Sequence, residues 1–263
     1  KRMPIVYAVA VMCALGAVFG VVLSFADKKF AVPVDERVQL IREKLAGANC
    51  GACGFPGCDG FAEAVAKGEA PVNGCPPGGA DCAAALAEIM GVSVGVGVQE
   101  VARLRCQGEK GVANESFEYD GIKTCFAASE FSGGPKACQY SCIGLGDCMR
   151  ACVFDAIEIV NGIAVINPDK CTACGMCVDA CPRNLIALLP KESTVLVRCM
   201  SLNNARVTRQ SCSKGCIGCK RCEKACEFDA IHVVNGIAVI DAEKCTNCKA
   251  CVEVCPNACI TVA

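Results

Sequence analysis

Two stretches of this chain repeat one spacing of cysteines, and that spacing leaves little freedom in what the chain can fold around. Cys171-x2-Cys174-x2-Cys177-x3-Cys181-Pro182 and Cys245-x2-Cys248-x2-Cys251-x3-Cys255-Pro256 both reproduce the bacterial ferredoxin run for cubane iron-sulfur clusters. Three thiolates at this spacing wrap one corner of a cubane, and the fourth, on the following helical turn, points toward a neighbouring cluster. Upstream partners for that exchange are present as Cys216, Cys219, Cys222 and Cys226, and as Cys138, Cys142, Cys148 and Cys152. In the second of these sets Leu145 stands where a cysteine belongs, and Cys138 is assigned as the substitute ligand.

An internal repeat supports the division. Residues 152–182 align without a gap to residues 226–256, with 20 of 31 identical. Each copy carries an Asn-Gly dipeptide between apolar residues, which predicts a type I′ hairpin between the cysteine runs. A short helix is expected before and after each hairpin. The fold expected is α+β, with two tandem two-cluster ferredoxin modules at 135–190 and 209–263, joined by a linker at 191–208.

A third run, Cys50-x2-Cys53-x4-Cys58-x16-Cys75, lies within NCGACGFPGC and GCPPGG. Its glycines let backbone N–H groups approach sulfur closely, which favours a fifth 4Fe-4S cluster in a small domain over 27–92. Tetrahedral zinc is the competing reading for this run taken alone. Disulfides are the competing reading for the chain as a whole, which holds 27 cysteines in 263 residues. Cys-x2-Cys-x2-Cys gathers ligands around one centre and gives poor bridge geometry, so clusters, and a reducing compartment, are favoured. Without its cysteines the apolar fraction falls from 53% to about 43%, and such small cores need staples.

Residues 5–26 carry no charge, and 22 residues at a rise of about 1.5 Å match a hydrocarbon core of roughly 30 Å. The sequence therefore predicts a single transmembrane anchor over 1–26. A cleaved signal ending near Ser24 and Ala26 is the weaker reading, because the run exceeds the usual apolar region of about 7–15 residues. Lys1 and Arg2 before the run and Asp27, Lys28 and Lys29 after it barely decide orientation. The chain begins with Lys1 and not Met, as expected if a few residues precede it.

The order of these parts resembles the B subunit of the Rnf complex, the ion-translocating ferredoxin:NAD oxidoreductase, in its longer clostridial form. NCGACGFPGC and GCPPGG beside the uncharged run carry the resemblance most specifically. The residues 93–134, from about Ser93 to Gly134, form an insert absent from the simplest members. The resemblance implies a subunit of a redox-driven ion translocase that takes electrons from soluble ferredoxin and relays them to the other Rnf subunits. It also implies a single-pass protein of the cell membrane, in contact with lipid through its first helix, with its cluster domains on the cytoplasmic side. The alternative is a polyferredoxin subunit of a hydrogenase or formate dehydrogenase, which has no need of the Cys50 domain. A hydratase-like enzyme with an open iron site is a further alternative, hinted at only by the irregular Cys138 to Cys152 run.

No catalytic residue is expected. The chain has one histidine, His232, and no dinucleotide or P-loop fingerprint, and GVSVGVGV at 91–98 reads as a linker. With 26 Lys and Arg against 27 Asp and Glu, nucleic acid is not an expected partner. Lys170 and Lys244 read as surface charges beside cluster cysteines, with attraction of an acidic ferredoxin as the sharper alternative. Five clusters use twenty cysteines and leave Cys13, Cys82, Cys106, Cys125, Cys199, Cys212 and Cys259. Packing thiols are the default reading of these seven, and Cys106, Cys125, Cys199 and Cys212 are the candidate set for a sixth cluster.

Overall fold

The computed structural model describes residues 3–30, 35–93, 95 and 98–262. The uncharged run forms helix α1 (Met3–Phe30). Its described side chains are continuous and exposed over residues 11–25, with Met12, Phe19 and Leu23 among them, and they become half-buried at Ala26. Among the described residues no helix is long and apolar enough to cross a membrane, and this overturns the transmembrane anchor expected over 1–26. Of the glycine-rich stretch 91–98, residues 94, 96 and 97 lie outside the described residues.

Three helices build the next core: α2 (Glu36–Lys44), α3 (Cys58–Lys67) and α4 (Gly79–Met90), with a 3-10 turn over Pro76–Gly78. Asp35 caps α2 by accepting the Arg37 N–H, and Gly68 ends α3 in the left-handed conformation. Ile41, Phe61, Val65 and Leu86 meet between the helices, fully buried. This core fixes the loop of Cys50 and Cys53 against the start of α3 at Cys58.

The remaining chain is two copies of one plan. The first contains β1 (Glu100–Leu104), α5 (Cys125–Glu130), α6 (Asp147–Ala151), β2 (Ile157–Val160), β3 (Ile163–Ile166), α7 (Met176–Asp179) and β4 (Ile186–Pro190). The second contains β5 (Val195–Val197), α8 (Ala205–Ser211), α9 (Arg221–Ala225), β6 (Ile231–Val234), β7 (Ile237–Ile240), α10 (Ala250–Glu253) and β8 (Ile260–Val262). Asn161-Gly162 and Asn235-Gly236 have φ of 49°, 75°, 51° and 82°, so both hairpins turn as predicted. Val160 faces Ile163 and Val234 faces Ile237 across them.

Each copy is completed by a second antiparallel pair, β1 with β4 and β5 with β8. Strand β1 comes from the stretch read as an insert, and β5 from the stretch read as a linker. Leu104 lies opposite Ile186 and Val197 opposite Ile260, so Leu104 and Val197 hold equivalent places. Ile157, Ile163 and Ile186 pack the first core, and Ile231, Ile237 and Ile260 the second. Cysteines close both cores.

Candidate iron-sulfur centres

Every cysteine-bearing loop of the two ferredoxin-like copies approaches its centre through backbone that ordinary residues avoid. Gly146, Gly175, Lys220 and Lys249, directly before the short helices α6, α7, α9 and α10, all have positive φ, as do Ala173 and Asn247. Such alternation turns successive N–H groups to one side and makes an anion-binding concavity. Cys177, Cys222 and Cys251, in the first turns of α7, α9 and α10, line hollows together with Gly175, Lys220 and Lys249.

Four rings follow the expected pattern. Cys50, Cys53, Cys58 and Cys75 line one hollow, and Cys152, Cys171, Cys174 and Cys177 line a second. Cys216, Cys219, Cys222 and Cys255 line a third, and Cys226, Cys245, Cys248 and Cys251 a fourth. The hollows are open to solvent and hold between about 310 and 340 Å³. Cys255 leaves its own run for the neighbouring ring, as the ferredoxin pattern requires, and Cys181 is not among the residues that line the hollow of its own run.

Cys148 is pushed up to about 12 by burial and then by the charges of Cys142, Cys125, Cys181 and Cys177. Cys125 opens α5 behind a Thr124 cap, and the Asp147 carboxylate accepts the N–H groups of Cys125 at 2.9 Å and Phe126 at 3.0 Å. Cys138, assigned from sequence as the substitute ligand, lines another hollow with Cys106, Cys199 and Cys212.

These residues suit cubane clusters. Tetrahedral zinc, with Zn–S of about 2.3 Å, needs sulfurs about 3.8 Å apart. Among the described residues no three His, Cys, Asp or Glu side chains close on a single ion. Sulfur receives backbone hydrogen bonds at Cys171 from Ala102 (3.3 Å), at Cys152 from Ala156 (3.4 Å), at Cys181 from Leu185 (3.4 Å) and at Cys226 from Ala230 (3.4 Å). Such bonds stabilise anionic sulfur and set cluster potential. Thr172 lines the second hollow, and its side chain bears on the Cys174 thiol there, opposing the upward push of burial. Burial holds the thiols of Cys177 at about 12 and of Cys222 and Cys251 at about 11, so filling the rings displaces their protons.

Two thiols stand just outside rings. Cys82 bonds the Cys75 thiol, lowering Cys75 to about 6 and raising itself. Cys259 does the same to Cys216, lowering it to about 6, and lies 3.5 Å from Cys255 Sγ. His232 sits on β6 with its Nε2 3.2 Å from the Asp229 carbonyl. Lys170 and Lys244 are exposed, and Lys244 Nζ pairs with Asp229 at 3.5 Å. Cys13 is exposed on α1.

The repeated fold and its thiolate rings define a multi-cluster iron-sulfur electron carrier. Family models agree: an Fe-S cluster model matches residues 45–77, a 4Fe-4S binding domain 164–187 and a 4Fe-4S dicluster domain 215–259. The chain is 46% identical over 254 residues to the B subunit of the Na(+)-translocating ferredoxin:NAD(+) oxidoreductase complex of Acetobacterium woodii, covering 96% of this chain and 76% of that protein. It is 42% identical to the B subunit of the proton-translocating ferredoxin:NAD(+) oxidoreductase complex of Clostridium ljungdahlii, covering 97% and 92%. To the B subunit of the ion-translocating oxidoreductase complex of Methanosarcina acetivorans it is 38% identical, with 96% of each chain covered. The chain belongs to the family of B subunits of the ion-translocating ferredoxin:NAD oxidoreductase (Rnf) complex.

Proposed function

We propose that this chain is the electron-relay subunit of a membrane-bound, ion-translocating ferredoxin:NAD oxidoreductase complex, taking electrons from reduced ferredoxin. The observation that carries the reading is the succession of cysteine rings on a repeated ferredoxin fold, with backbone N–H groups aimed at their sulfurs. A 4Fe-4S cluster supplies one-electron, low-potential chemistry. The chain's own residues bind it, donate hydrogen bonds to it and limit its contact with water.

The five ligand sets are Cys50, Cys53, Cys58 and Cys75; Cys152, Cys171, Cys174 and Cys177; Cys125, Cys142, Cys148 and Cys181; Cys216, Cys219, Cys222 and Cys255; and Cys226, Cys245, Cys248 and Cys251. The first belongs to the 27–92 domain. The others belong to the two ferredoxin modules, whose cores extend the 135–190 and 209–263 boundaries to β1 and β5. Cys248 is exposed, with Lys244 and Lys249 beside it, and this edge suits an acidic soluble ferredoxin. The other complex subunits receive the electrons, on the reducing side where thiolate ligation persists.

Iron and zinc analysis of the full chain, with EPR of its reduced form, tests the reading. The expected result is at least about 20 iron per chain, four for each of five rings, with spectra of reduced cubanes. Stoichiometric zinc with little iron would sink it.

A further inference from the structure

We infer that Cys106, Cys138, Cys199 and Cys212 form a sixth 4Fe-4S-binding ring, half of it built by each ferredoxin module, that joins the two modules. The inference rests on reading the other rings as cubane sites. The four cysteines line a hollow of about 340 Å³, and all four lie outside every residue range matched by a family model.

The ring follows the internal symmetry. Leu104 and Val197 hold equivalent places in β1 and β5. Arg105-Cys106 directly follows Leu104, as Arg198-Cys199 follows Val197. Cys138 precedes Cys142 by four residues as Cys212 precedes Cys216. Each module thus lends one cysteine just past its outer strand and one just ahead of its cluster-binding run. A gapless alignment pairs Cys199 with Cys125 and hides this, because the first module carries extra residues between Cys106 and Cys138.

Packing thiols would have apolar surroundings and no donors aimed at them. Cys106 Sγ instead accepts two backbone N–H groups, from Gly108 at 3.2 Å and Cys142 at 3.3 Å. Arg198 lines the hollow, donates through Nη2 to the Cys106 carbonyl at 3.0 Å, and keeps a buried Nε without a partner. Ser141, Ser201 and Thr208 add buried hydroxyls to the same lining. Donors and cations around four thiols suit an anionic group.

The location supplies a purpose. The backbone N–H of Cys142, a ligand in the first module, reaches Cys106 Sγ, and Cys216, a ligand in the second, packs in one core with Cys199. The ring therefore touches the nearest ring of each module. Hydrogen bonds fasten the seam around it: Asn114 N to Ser211 O at 2.9 Å, Ser213 N to Val112 O at 3.0 Å and Gln107 Nε2 to Ala258 O at 2.8 Å. Without this ring the two pairs of sites would be separated by a redox-silent seam.

Native mass spectrometry of the anaerobically loaded full chain counts clusters directly, and iron analysis of the Cys106→Ser/Cys199→Ser double variant locates the sixth. The expected wild-type content is six cubanes and about 24 iron. The double variant should lose one cubane, about four iron, while Cys82→Ser loses none. Should the double variant fail to fold, the wild-type count decides alone. Five cubanes in the wild type would overturn the inference and leave the relay reading standing. A chain without cubanes would overturn both.

Discussion

Lys136 Nζ donates to the Cys142 carbonyl at 2.7 Å, and the same ammonium reaches the carbonyls of Gly108 at 2.6 Å and Gly162 at 2.9 Å. One buried lysine thus ties the loop after Cys106, the cluster run and the hairpin turn of the first module. Lys136→Met leaves three buried carbonyls without this donor, at a cost of about 2–3 kcal/mol, read by anaerobic urea unfolding. Removing a positive charge next to anionic sites disfavours reduction, so the potentials nearest Cys106 and Cys142 should fall. Unchanged potentials would show that the lysine acts only as a tie.

Gly144 and Gly218 hold equivalent places, both with left-handed φ, but their neighbours differ. A Cβ on Gly144 would press into the Gly162 carbonyl oxygen well inside contact distance, whereas one on Gly218 would lie 3.0 Å from that of Gly236. Gly144→Ala should cost about 3 kcal/mol and Gly218→Ala about half as much, measured by anaerobic unfolding. Equal losses would contradict the tighter hairpin contact in the first module.

Asp147→Ala removes the carboxylate that anchors Cys125 and Phe126. About 1–2 kcal/mol of stability should go with it. The more specific readout is loading: Cys125 loses its placement beside Cys148, so one cubane should become substoichiometric in native mass spectra while the others persist. Full loading would show that Cys125 is not a ligand.

Cys259→Ala removes a thiol from beside Cys216 and Cys255. A hydrogen bond worth about 0.5–1 kcal/mol more to the reduced site corresponds to roughly 20–40 mV, so the potential of that ring should fall by this amount. Loss of the cluster would instead assign Cys259 as a ligand.

Much of this was legible in the spacing of cysteines. The Cys171 and Cys245 runs, and the Asn-Gly turns, are local features, and local geometry decides them. The hollow that Cys138 lines was harder to read, because it depends on long-range strand pairing. Only the register of β1 on β4 and β5 on β8 reveals that Cys106 corresponds to Cys199. The stretches of β1 and β5 carry little periodicity of their own and read as insert and linker until their partners are known.

Reductive titration of the anaerobic full chain with reduced ferredoxin measures the relay most directly. The account predicts rapid uptake of about five electrons per chain, one for each proposed site, rising to about six with the ring between the modules. No uptake from ferredoxin by a fully loaded chain would contradict it.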